Sequence, residues 1–190
     1  MSLFSQAFMK TRIRLLLIAT LALAFMTPAA LAEGFSVGAS IGASKITVDD
    51  SSSGIDFDGS DVGWKVFGKF MFNDNLGLEV GYVDFGNPGD SIFGFGTDIA
   101  ADGIDAFLIG SLPASESVDL FGKVGYVSWD AEISAPGVSE SDDGSDLAVG
   151  IGAAFHTSDT FSILGEWEWF DIADSDAVWM LSIGIEVGFN

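Results

Sequence analysis

The stretch FGKFMFNDNLGLEVGYVDFG, residues 67–86, carries the reading of the whole chain. It is apolar enough for a protein core, yet Lys69 and Glu79 stand in the middle of its two halves. Read with period two, Trp64, Val66, Gly68, Phe70 and Phe72 fall on one face, and Lys65, Phe67, Lys69 and Met71 on the other. Beyond the turn Asn73-Asp74-Asn75, Leu76, Leu78, Val80 and Tyr82 share a face, opposed by Gly77, Glu79 and Gly81. Successive strand side chains point to opposite faces, so each half is a strand with one apolar row and one mixed row. If Phe72 stands opposite Leu76 around the turn, Lys69 stands opposite Glu79, and an ion pair between them is expected.

The same alternation recurs over about 35–47, 98–112, 118–130, 146–156, 161–171 and 178–189, which makes eight strands. Short turns (73–75, 113–117, 157–160) alternate with longer segments (48–62, 86–97, 131–145, 172–177), the latter expected as loops. Mid-strand charges keep to the mixed row: Lys65, Lys69, Glu79, Asp105, Lys123, Glu166, Glu168 and Glu186. A membrane barrel explains this, since its apolar row meets lipid and its small or charged row fills the interior. The tryptophans lie toward the strand ends that meet the long segments. With Tyr82 and Tyr126, residues Trp64, Trp167, Trp169 and Trp179 are expected to form an aromatic girdle there, and Trp129 is placed at the same end. Phe35, Phe72, Phe155, Phe161 and Phe189 lie at the opposite ends.

The N-terminus has Lys10, Arg12 and Arg14, then the twelve-residue apolar run LLLIATLALAFM (15–26), then Ala30 and Ala32 at A-x-A spacing. That is the layout of a secretory signal peptide cleaved after Ala32. The run is too short for a membrane-spanning helix, which needs roughly 18–20 apolar residues. Removing residues 1–32 from 190 leaves 158, a one-domain length for residues 33–190. The mature chain has four basic residues against 28 acidic ones, a net charge of −24. Such a balance excludes a nucleic-acid partner, which needs a basic footprint. No cysteine is present, so the fold has no disulfides and no thiolate chemistry.

With these residues on the page, the chain resembles the OmpA-type transmembrane domains, eight-stranded barrels of the Gram-negative outer membrane. The resemblance rests on residues 67–86, on GEWEW (165–169) and on MLSIGIEVGF (180–189). It implies an all-β, eight-stranded antiparallel up-and-down transmembrane barrel, with lipid and lipopolysaccharide as surroundings and a monomeric state. Ser182, Gly184, Val187 and Phe189 resemble the C-terminal signal read by the barrel-assembly machinery, with Asn190 as a departure. Family members carry an interior charge network that gates a narrow water path. Glu79 matches its acidic position, but the other matching positions, Ile109, Ala154 and Leu164, are apolar, so that gate is not preserved.

Three functions follow as alternatives. The first is a structural or surface-interaction protein of the envelope, with no catalysis and no cofactor. The second is a narrow pore preferring cations, because acids outnumber lysines on the mixed row. The third rests on His156 with Ser158 and the carboxylates of Glu166 and Glu168, a spacing similar to that of outer-membrane lipid A deacylases. A hydroxyl, an imidazole and an acid in hydrogen-bond reach can activate acyl hydrolysis. The acidic stretches 49–61 and 139–146 read as solvated loops around which divalent cations gather diffusely, since neither has Ca²⁺-loop spacing.

Overall fold

The alternation does form strands, and they run further than the apolar rows. The computed structural model describes residues 34–50, 55–92, 95–135, 138–173 and 175–189. The expected signal peptide lies outside them, as do Asn190 and residues 51–54 of the first acidic stretch. Among the described residues nine strands are present: β1 (Phe35–Asp50), β2 (Ile55–Asn73), β3 (Leu76–Asp84), β4 (Gly89–Ile92), β5 (Phe95–Ser115), β6 (Val118–Ala135), β7 (Val138–His156), β8 (Phe161–Phe170) and β9 (Ala177–Phe189). All pairings are antiparallel between neighbours in the chain, and β1 with β9 and β3 with β5 close the sheet on itself. β4 is a short strand paired on the outer end of β5, so the barrel proper has eight strands. Closure leaves no membrane-exposed sheet edge, as a strand-built span requires.

Within the band expected in lipid, the outward rows are apolar and exposed: Val80, Leu108, Val124, Ile151, Ile183 and their neighbours. Phe35 stacks on Phe189 at 5.8 Å across the closing seam, and Trp64 meets Tyr82 at 5.5 Å toward the other end. Tyr126, Trp167, Trp169 and Trp179 also stand on outward positions. Trp129 does not. It shares parity with Val127, points inward, is 3% exposed, and donates its indole N–H to Asp146 Oδ2 at 2.7 Å. Position along the strand placed it in the girdle, but parity puts it inside.

Of the long segments, 48–62, 86–97 and 131–145 are largely strand where described, a correction to their reading as loops, whereas 172–177 has no strand before Ala177 among its described residues. Asp49 pairs opposite Asp56, and the whole of 139–146 lies in β7 opposite 127–134 of β6. Strand propensity does not account for this, since Asp, Gly and Ser are poor strand formers. The cause lies inside: Ile46, Phe57, Phe85, Ile99, Val127, Trp129 and Phe170 meet in one buried cluster at this end. Past the girdle the polarity of the two rows inverts. In the lipid band the apolar row faces out; beyond it the inner rows of β1, β2, β5 and β6 supply the apolar cluster and the outer rows carry acids, with β7 the exception, since its Asp142 and Asp146 share the inner row of Ala131 and Val127. We call this end the sleeve.

The 67–86 hairpin keeps the expected register, with Lys69 opposite Glu79 and Phe70 opposite Leu78. The turn differs. The register slips between Met71 and Asn73, so Leu76 pairs with Asn73 and Phe72 is bulged. Asn73 Oδ1 accepts the N–H of Asn75 at 2.9 Å, and this side-chain turn tightens the hairpin.

Candidate functional site: a buried ion network and an acidic sleeve

Six charged side chains converge at mid-barrel. Lys65 from β2 places its Nζ 2.8 Å from Glu79 Oε1, 2.9 Å from Asp105 Oδ2 and 2.8 Å from Glu168 Oε1. Lys123 from β6 reaches Glu79 Oε1 and Glu168 Oε1 at 2.8 Å each, and pairs with Glu166. Lys65, Asp105 and Glu168 are wholly buried. The Phe107 ring lies beside both ammoniums, 4.9 Å and 4.4 Å from its centroid. Glycine makes room for this packing. A Cβ at Gly81 would stand 2.7 Å from Asp105 Oδ1 and Lys65 Cε, and one at Gly150 would stand 2.7 Å from Lys123 Cε.

Apolar layers close the network on both sides. Toward the sleeve stands the cluster of Val83, Phe85, Val127, Phe170 and Met180 with the residues named above. Toward the short-turn end Phe67, Ala154 and Leu164 pack together with Phe121 against them. Two of the positions that carry gate charges in the resembled family, Ala154 and Leu164, belong to this lower layer. The six charged groups thus lie between two apolar layers.

The structure therefore unites Lys65, Glu79, Asp105, Lys123, Glu166 and Glu168 and separates two members of the expected set. Lys69 faces Glu79 across the ladder, but their side chains do not pair. Lys69 joins Glu186 near the short-turn mouth, below the lower apolar layer, while Glu79 takes both buried lysines. Hairpin register predicts backbone neighbours; only closure of the barrel brings β6 and β8 across to β2 and supplies better partners.

At the short-turn rim, His156 has other partners than those expected. Its Nδ1 lies 2.9 Å from Ser162 Oγ and its Nε2 3.0 Å from Asp119 Oδ2. Ser158 instead accepts the backbone N–H of Phe161 at 3.1 Å within the turn, and Glu166 and Glu168 are committed to the network. The hydroxyl, imidazole and carboxylate stand in relay order and tie β8, β7 and β6 together. Ser162 faces the lumen and is only 9% exposed. Of the assembly-signal residues, Ser182 and Gly184 face inward and are buried, whereas Val187 and Phe189 are exposed on the lipid face.

In the sleeve, ladder register lines up like charges. Asp84 stands opposite Asp102, Asp102 opposite Asp130, and Asp130 opposite Asp143, one outward row over four strands. Of the four, only Asp143 falls in a segment expected as a loop. The row needs three registers at once.

A sequence profile of the outer membrane protein beta-barrel domain matches residues 15–190. The chain belongs to that family. This outer-membrane barrel has no match among curated protein sequences. Among solved structures it is similar to Neisserial surface protein A, with a TM-score of 0.66 and 17% identity over 82% of this chain and 97% of that one. It is also similar to Ail, the attachment invasion locus protein of Yersinia pestis, solved with the heparin analogue sucrose octasulfate. There the TM-score is 0.53 and the identity 23%, over 80% and 98% of the two chains. OprG from Pseudomonas aeruginosa gives 0.57 and 14%, over 80% and 96%. These likenesses concern the fold. Together with the family, they place the protein in the outer membrane.

Proposed function

We propose that this barrel is a plugged, non-conducting surface protein of the envelope, without catalysis, whose working face is the acidic sleeve. The observation that carries the reading is the inversion of the rows: the interior ends in apolar layers, while the outward row beyond the girdle presents Asp84, Asp102, Asp130 and Asp143 side by side. Such a face suits a basic partner, or an anionic lipopolysaccharide bridged by divalent cations, because carboxylates gathered on one face create a negative potential that draws cations. A polyanion such as the heparin analogue bound to Ail is the opposite chemistry. The rim triad is read as a strand tie, because its serine is buried in the lumen and remote from the outer leaflet where lipid A lies. Export through a signal peptide cleaved after Ala32 belongs to the same reading.

The test has two arms. Planar-bilayer recording of folded residues 33–190 at high salt is expected to be silent; discrete steps altered by Lys69→Ala would make the protein a cation-preferring pore instead. Binding of the folded protein to immobilised polylysine and to heparin is then compared across ionic strength. Binding to polylysine alone, weakened by Asp130→Asn with Asp143→Asn, supports the sleeve. Binding to heparin alone would refute it. Deleting 139–146 is unsuitable as a variant, because it would remove β7 pairing rather than a loop.

A further inference from the structure

Lys65 and Asp105 come from strands that are not neighbours. β3 lies between β2 and β5, and the two side chains meet over its Gly81. A Cβ at that position would stand 2.7 Å from both Asp105 Oδ1 and Lys65 Cε, so the contact as it stands needs glycine there. Lys65 Nζ lies 2.9 Å from Asp105 Oδ2, and both side chains are wholly buried. Yet this contact is not a hydrogen bond. Lys65 donates to Glu79 Oε1 and Glu168 Oε1 at 2.8 Å each, whereas neither oxygen of Asp105 has a hydrogen-bond partner. A buried charge that accepts no hydrogen bond recovers little of its desolvation cost.

The surroundings suit a reaction between the two groups. A lysine amine is a nucleophile towards carbonyl carbon, and holding the reactants together replaces a rare encounter by a standing one. The rings of Phe67 and Phe107 flank Lys65, with their centroids 5.9 Å and 4.9 Å from its nitrogen. Apolar layers close the volume on both sides, and a site without water does not hydrolyse what forms in it. The two glutamates on Lys65 are proton acceptors in contact with the reacting nitrogen itself. The chain has no cysteine, so a covalent tie between its strands has to come from other side chains.

We propose that Lys65 and Asp105 are a self-modification site, where closure of the barrel is followed by an isopeptide bond between Lys65 Nζ and Asp105 Cγ. That carbon is one bond beyond the oxygen the nitrogen already touches. The N–Cγ bond forms and one Cγ–O bond breaks. Two of the three ammonium protons leave with that oxygen as water, relayed by Glu79 and Glu168, and the third stays on the amide nitrogen. The step needs no oxidant, nucleotide or other reactant. One positive and one negative charge disappear together, so the net charge of the interior is unchanged while fewer ions remain buried. The bond ties β2 to β5 across β3, and such a cross-link constrains the unfolded chain as a disulfide would.

The test is intact-mass spectrometry of the protein expressed from the full chain, purified folded from membranes and then denatured, with its N-terminus read by fragmentation. The expected mass is one water below that of the sequence, and digestion is expected to yield a branched peptide joining residues 65 and 105. Chain from inclusion bodies, never folded, should have the full mass and lose the water only after folding in detergent. Lys65→Arg keeps the charge but has no nucleophilic amine, and should show the full mass. Lys69→Ala, at the rim, should keep the deficit. Full mass in the folded wild-type chain overturns the proposal. So does a branch at another pair, or a deficit that hydroxylamine removes, the mark of a cyclised aspartate such as Asp143 before Gly144. The wild-type measurements decide the matter even if Lys65→Arg does not fold.

Discussion

At the scale of single residues, two interior lysines behave differently because their surroundings differ. Lys123 is buried among three glutamates, and Lys69 pairs with Glu186 where both remain partly exposed. Removing one member of a buried set leaves the others uncompensated, so Lys123→Met is expected to destabilise the barrel by about 3–5 kcal/mol. Lys69→Ala should cost about 1 kcal/mol or less, since a partly exposed pair is screened. Urea unfolding in detergent, followed by the heat-dependent gel shift of the barrel, compares the two. Equal losses would mean that the central network is no more tightly coupled than the rim. Of these partnerships, the lysines and acids themselves were readable from row membership. The pairing of Lys65 with Glu168 was not, because their strands are far apart in the chain.

At the scale of elements, the strands change character along their length. β6 carries Val124 and Tyr126 outward in lipid, then Asp130 and Glu132 outward in water, while Val127 and Trp129 pack inside. The sleeve therefore depends on its own core and not on lipid. Trp129→Ala should remove about 3–5 kcal/mol of packing. Amide hydrogen exchange is expected to quicken over 44–61 and 127–146 while the lipid-facing segments stay protected. Uniform loss of protection would show that sleeve and membrane band unfold as one unit. Relief of the like-charge row works the other way: Asp143→Asn should stabilise by about 0.2–1 kcal/mol at low salt. Raising the salt should erase that gain as the charges are screened. The acidic stretches looked like loops because Asp, Ser and Gly dominate them. What betrays them as strands is the spaced apolar residue on the inner row, Phe57 or Trp129, a sparse signal next to so many carboxylates.

At the scale of the whole molecule, the barrel is a membrane solute with a closed interior. A charge on its outer row meets hydrocarbon that cannot solvate it. Ile151→Arg, at a highly exposed mid-strand position, is expected to cost about 2–4 kcal/mol. The fraction refolded into lipid vesicles measures it, and an undiminished fraction would place Ile151 outside the hydrocarbon. The same interior also fixes the strand order, since its six charged groups can meet only when β2, β3, β5, β6 and β8 surround them.

Period two and the segregation of charge onto one row determined, from sequence alone, the strand count of the barrel, its outward face, the hairpin register and the membrane setting. These are local properties, set by how successive side chains alternate along an extended backbone. Which ammonium meets which carboxylate, where Trp129 points within the girdle's level, the partners of His156 and the four-strand aspartate row were decided only in three dimensions. Each depends on closing the sheet, because closure alone brings side chains from strands distant in the chain into one small, dry volume, where the geometry of reach and the cost of burying charge select the partners.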